Sequence, residues 1–145
     1  MVVRTSHQWH DQTVPAVPES VRLVRYTTAL ALTTFGVIPG SPISDATLLS
    51  VSELVSNAVR HAADHSPTIS VKITLTGSCL TIAVADTHPS FPSLSDDSMG
   101  VGLQTIFELA SRHRGMVSVE PVPVGNGKTI FVSFPYELAG EPVGS

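Results

Sequence analysis

Two apolar periods divide this chain. From Glu19, Val21, Val24, Ala31, Leu32 and Phe35 recur at helical spacing, which predicts a helix stopped by Gly36 and Pro39. Gly40-Ser41-Pro42 reads as a linker. A longer helix follows, with Leu48, Val51, Val55, Ala58, Val59 and Ala62 on one side. Ser44 or Asp45 is its expected cap, and it ends around Ala63, ahead of Pro67. The period then drops to two. Ile69, Val71, Ile73 and Leu75 alternate with Ser70, Lys72, Thr74 and Thr76, Gly77-Ser78 turns, and Leu80, Ile82 and Val84 alternate again. That is a strand pair. Residues 87–99 are rich in Pro, Ser and Asp without periodicity and read as a loop. Gly100-Val101-Gly102-Leu103 opens a third helix with Leu103, Ile106, Phe107 and Ala110, and Gly115 is its expected stop. Val117 and Val119 make a short strand, residues 123–127 a turn, and Ile130, Val132 and Phe134 the last strand.

Helices first, then hairpin, helix and hairpin, give an α+β fold: a two-layer sandwich whose mixed, mostly antiparallel sheet carries helices on one face. Residues 1–18 are polar and marked by Pro15 and Pro18. The layout is therefore a tail or edge strand over 1–14, with the strand near Trp9 to Val14, one domain over 15–136, and a small polar tail over 137–145.

Composition narrows the class. The chain has 145 residues, 42% of them hydrophobic, enough for one domain with a real core. The formal net charge is −4 and no basic run occurs, which disfavours binding to a nucleic-acid backbone. Cys79 is the only cysteine, so an intrachain disulfide is impossible. No stretch reaches the apolar length of a membrane span, and the first twenty residues lack the apolar core of a signal peptide. A cytoplasmic protein without membrane attachment is the expectation.

The candidate chemistry is concentrated in a few places. At about 100° per residue, Glu53, Asn57, Arg60 and His61 share the polar side of the second helix. A carboxylate can orient a hydroxyl or water, and an amide oxygen can ligate a hard cation such as Mg²⁺. A solvated helix face is the simpler reading of that pattern; Leu49 on the same side suggests that something covers it. Asp86 keeps the inward parity of Leu80, Ile82 and Val84. It either needs a buried partner, such as the exocyclic amine of a purine, or turns to solvent at the strand end. Gly100 and Gly102 lie where a loop enters a helix, which suits an anion at the helix N-terminus, or a hinge needing unusual dihedrals. Gly125-Asn126-Gly127-Lys128-Thr129 is not a P-loop: position 122 is Val122 rather than glycine, and the segment runs into a strand. It reads as a hairpin turn, with the Thr129 hydroxyl pointing away from the Ile130, Val132 and Phe134 face. His61 and His65 are four apart, but no third ligand for zinc is evident.

The order and spacing of these pieces resemble the ATP-binding superfamily of gyrase, histidine kinases and MutL, the Bergerat or GHKL fold. Glu53-x-x-x-Asn57 is similar to its N-box, Asp86 to the aspartate opening its first glycine box, and Gly100-x-Gly102-Leu103 to its second. Gly127-Lys128-Thr129 is similar to the closing segment, in which a threonine helps hold the adenine-binding water. The likeness runs over roughly residues 15–135. Within the superfamily, Ser52 to Ala62 and the helix start Val21-Arg22-Leu23-Val24-Arg25 resemble the anti-sigma-factor serine kinases of the RsbW/SpoIIAB type, in a version common among actinobacterial regulators.

The resemblance implies ATP and Mg²⁺ as cofactors. It implies Asn57 as the Mg²⁺ ligand, Asp86 as the adenine reader, Glu53 as the group activating the acceptor serine, and Gly100, Gly102, Leu103 and Thr129 as further nucleotide-site residues. It implies an anti-sigma-factor antagonist as substrate and a sigma factor as binding partner, with Arg25 on a partner-facing surface. Family members often form dimers. Transcription regulation by a protein serine/threonine kinase is the function this implies. The alternative is a non-catalytic nucleotide-binding module that acts by occupying a partner. Glu53 favours the first; the second is favoured by Thr87-His88-Pro89-Ser90, which lacks both glycines of the first box. Either way, three separated pieces of chain must converge on one nucleotide.

Overall fold

The computed structural model describes residues 7–62, 67–87, 100–122 and 127–136. Five strands and three helices follow in the order β1 (Gln8–Pro15), α1 (Glu19–Phe35), α2 (Pro42–Ala62), β2 (Thr68–Leu75), β3 (Cys79–Asp86), α3 (Gly100–Arg112), β4 (Met116–Pro121) and β5 (Lys128–Pro135). The sheet order is β1-β2-β3-β5-β4. Every pairing is antiparallel, so the sheet expected to be mostly antiparallel is antiparallel throughout. The expected loop falls mostly on residues 88–99, the turn mostly on 123–126 and the C-terminal tail on 137–145, all outside the described residues.

Strand alternation decides which face is buried. Ile69, Val71, Ile73 and Leu75 of β2, Leu80, Ile82 and Val84 of β3, and Ile130, Val132 and Phe134 of β5 all point to one side and are buried. The other side, with Thr74, Thr81, Ala83, Thr129 and Ser133, stays half-exposed. All three helices pack on the buried side. The edge strand expected near Trp9 is β1, paired with β2 along all eight residues.

The helices follow the apolar spacing, with instructive shifts. In α1, Val24, Ala31, Leu32 and Phe35 are buried as expected. Gly36 ends the helix in the left-handed region at φ 90°. Its N–H donates to the Thr33 carbonyl at 3.0 Å, and Val37 N–H donates to Leu32 at 2.9 Å. α2 begins earlier than expected. Its cap is Ser41, whose Oγ accepts from the Ser44 N–H at 3.3 Å, with Pro42 at the first helical position, where its fixed φ fits and no N–H is needed. The buried arc of α2 is also wider than one stripe. Leu54 is buried with Val51, Val55 and Ala58, because α2 packs against α1, α3 and the sheet together. Leu49 remains 37% exposed, so the described residues leave this part of the helix uncovered. α3 buries Leu103, Ile106, Leu109 and Ala110. The left-handed residue after its end is Arg114, at φ 57°, rather than Gly115.

Candidate functional site

β3 delivers Asp86. Alternation carries its side chain inward with Val84 and Ile82, and it is 7% exposed. Directly opposite in register stands Lys128, the first residue of β5, also 7% exposed. The Lys128 Nζ donates to Asp86 Oδ1 at 3.1 Å and to Oδ2 at 3.0 Å. The two buried charges compensate each other, as ionised groups withdrawn from water must. Gly127 permits this pairing. It has φ +130°, and a Cβ there would overlap the Asp86 carbonyl oxygen and lie 2.8 Å from Thr87 Cα. Only a residue without a side chain lets the start of β5 approach the end of β3 so closely.

α2 supplies the opposite wall. Asn57, Leu54 and Ala58 line a cleft together with Val84, Asp86, Lys128 and Ile130. Asn57 and Asp86, 29 positions apart in sequence, thus meet across one space, with apolar surface above and below. The void is about 20 Å³, room for about one water molecule. Glu53 sits one turn before Asn57 on α2 and is half-buried; it does not line the void.

The remaining expected residues are placed as follows. Gly100 and Gly102 form the opening turn of α3, and α3 packs against α2. Leu103 is a core side chain, 2% exposed. Thr129 pairs with Ala85 and Glu120 on the opposite face of the sheet. Strand parity therefore keeps its hydroxyl out of the cleft, and the residue of this segment that enters it is Lys128. Arg25 is exposed on α1. The sequence reading passed over Lys128, although its parity with Ile130, Val132 and Phe134 marks it as inward.

The donor set in the cleft fits Mg²⁺ in one respect. No group of three or more His, Cys, Asp or Glu side chains able to hold a metal alone occurs among the described residues. The Asn57 amide oxygen is a hard ligand of the kind Mg²⁺ takes singly, keeping water and phosphate oxygens for its other positions.

An antiparallel sheet with its helices on one face thus carries, at one end of its strands, a cleft lined by a helix-borne amide and a strand-end carboxylate. The chain belongs to the histidine kinase-, DNA gyrase B- and HSP90-like ATPase family, whose model matches residues 45–138. It is an ATP-binding domain of the GHKL type. Among solved structures it is similar to the histidine kinase domain of a blue-light activated histidine kinase from Erythrobacter litoralis EL346, with 18% identity, a TM-score of 0.53, and coverage of 84% of this chain and 61% of that one. It is also similar to full-length ShkA in complex with AMPPNP, with 18% identity, a TM-score of 0.52, and coverage of 91% of this chain and 33% of that one. The chain thus spans less than two thirds of either structure. A search of curated proteins finds no match.

Proposed function

We propose that this protein is an ATP-dependent serine/threonine protein kinase that phosphorylates an anti-sigma-factor antagonist and sequesters a sigma factor in the cytoplasm. The observation that carries the nucleotide part is the meeting of Asn57 and Asp86 in one cleft with apolar walls. In this reading a purine lies between Leu54 and Ala58 on one side and Val84 and Ile130 on the other, and its exocyclic amine donates to Asp86. Asn57 would hold Mg²⁺, which neutralises phosphate charge when bound. The N–H groups that open α3 at Gly100 and Gly102 belong to the positive end of a helix and would take phosphate oxygens. Glu53, one turn from Asn57, would accept the proton of the acceptor serine hydroxyl as that oxygen bonds to the γ-phosphorus, while the bond from that phosphorus to the bridging oxygen breaks and ADP leaves. The Ser52 to Ala62 segment supports the anti-sigma assignment, and Arg25 is exposed on α1, where a protein partner can reach it.

Calorimetric titration with Mg-ATP tests the site. Micromolar binding, about 8 kcal/mol, is expected, and Asn57→Ala and Asp86→Ala should each weaken it strongly. Unchanged binding in both variants would remove the assignment. Transfer of labelled phosphate to an antagonist protein tests the chemistry. Glu53→Ala should abolish transfer while nucleotide binding remains; normal transfer would show that Glu53 is not the base.

A second reading rests on its own observation. Lys128 already occupies Asp86, and the segment after Asp86 lacks the box glycines. Both suit a module that binds nucleotide weakly and acts by occupying its partner. Transfer activity separates the two readings.

A further inference from the structure

Lys128 is a charged residue in the cleft to which the nucleotide reading gives no role. Its ammonium contacts both Asp86 carboxylate oxygens, at 3.0 and 3.1 Å, and both residues are 93% shielded from water. The void beside them holds about 20 Å³, far less than a purine ring system requires. The carboxylate that a purine amine must reach is therefore met by a stronger donor, in the space the base would fill. A hydrogen bond from an ammonium to a carboxylate is roughly twice as strong as one between neutral groups. The base must displace Lys128 rather than join it.

We infer that Lys128 is a latch on the base pocket: nucleotide binding requires its ammonium to leave Asp86, so this residue sets affinity and keeps the empty pocket closed. The proposal rests on the nucleotide reading above. Placement makes the exchange feasible. Lys128 is the first residue of β5, and a lysine carries its charge on a flexible four-carbon stem that is readily rehydrated. The walls can stay in place. Leu54, Ala58, Val84 and Ile130 belong to α2 and the sheet, so withdrawal of one side chain enlarges the space between packed elements. In return for the lost ion pair, the base gains apolar contact on both faces and the ammonium regains water.

Calorimetry of Mg-ATP binding to wild type, Lys128→Met and Lys128→Gln is the test, with far-UV circular dichroism confirming the fold of each. The latch predicts tighter binding in both variants, by about tenfold, one hydrogen-bond-sized step in affinity. Weaker or unchanged binding in folded variants overturns it; weaker binding would make Lys128 a direct contact to the base. Removing one partner of a buried pair can unfold a protein, so a second measurement uses wild type alone. With ¹⁵N-labelled lysine, the shielded Lys128 ammonium should give a slowly exchanging signal that disappears at saturating Mg-ATP. A signal that persists at saturation overturns the latch. Binding by wild type with no gain in the variants sinks the latch and leaves the nucleotide reading standing. Absence of binding in all three folded proteins sinks both.

Discussion

At the scale of single residues, the site depends on the glycine where β5 meets the end of β3. Gly127 lets β5 come against the Asp86 carbonyl, and a Cβ would meet backbone rather than a yielding side chain. Gly127→Ala combines that overlap with a strained φ of +130°. It should lower unfolding stability by about 2 kcal/mol or more, read by urea denaturation, and should weaken nucleotide binding by shifting the strand end that carries the Asp86 carboxylate. Gly77 is a fit comparison, since a Cβ there meets nothing within 4 Å, and Gly77→Ala should be near neutral. Much of this residue-level picture was legible. The parity of Asp86 followed from Leu80, Ile82 and Val84, and the outward Thr129 from Ile130 and Val132. The Asp86–Lys128 pair was not legible. It needs β3 and β5 to be neighbours in a fixed register, and α3 and β4 intervene between them in sequence.

At the scale of elements, helix ends differ from the expected ones for local reasons that stability measurements can check. Ser41, not Ser44 or Asp45, caps α2, because Pro42 is tolerated only where its missing N–H goes unused. Ser41→Ala should cost about 1 kcal/mol in chemical denaturation, and Asp45→Ala less. Two residues past the end of α3, Arg114 adopts the left-handed region, and Gly115 N–H donates to the Ala110 carbonyl at 2.6 Å. Arg114→Gly should raise stability by about 1 kcal/mol, since glycine adopts that conformation without a Cβ clash. Ser50 lies fully buried on α2, and its hydroxyl has no hydrogen-bond partner among the described residues. Ser50→Ala should therefore be neutral or stabilising by about 1 kcal/mol. Helix and strand existence was legible from period alone. The exact caps were not, because two serines and an aspartate compete within five residues, and only the tertiary path of the chain decides among them.

At the scale of the whole molecule, the family match begins at residue 45, so β1 and α1 lie outside it, yet both are built into the fold. β1 covers the free edge of β2 along its full length and buries Val14. Gln12 Nε2 donates to Thr27 Oγ1 at 2.6 Å, and Ser20 Oγ donates to the Pro15 carbonyl at 2.6 Å, tying the strand to α1. Deleting residues 1–15 should uncover a hydrophobic strand edge and drive self-association, seen as a shift to larger species in size-exclusion chromatography. The α+β class was legible because apolar period switches cleanly from helical to alternating. The insertion of β5 between β3 and β4 was not, since sequence adjacency alone would have left β5 at the border. That insertion has a functional consequence. Asp86 and Lys128 form the terminal rung of the β3–β5 ladder, and terminal rungs unzip at a small fraction of the global unfolding energy. Occupancy of the pocket can therefore be traded against fraying at one strand end, while the rungs from Val84–Ile130 inward keep the molecule's shape.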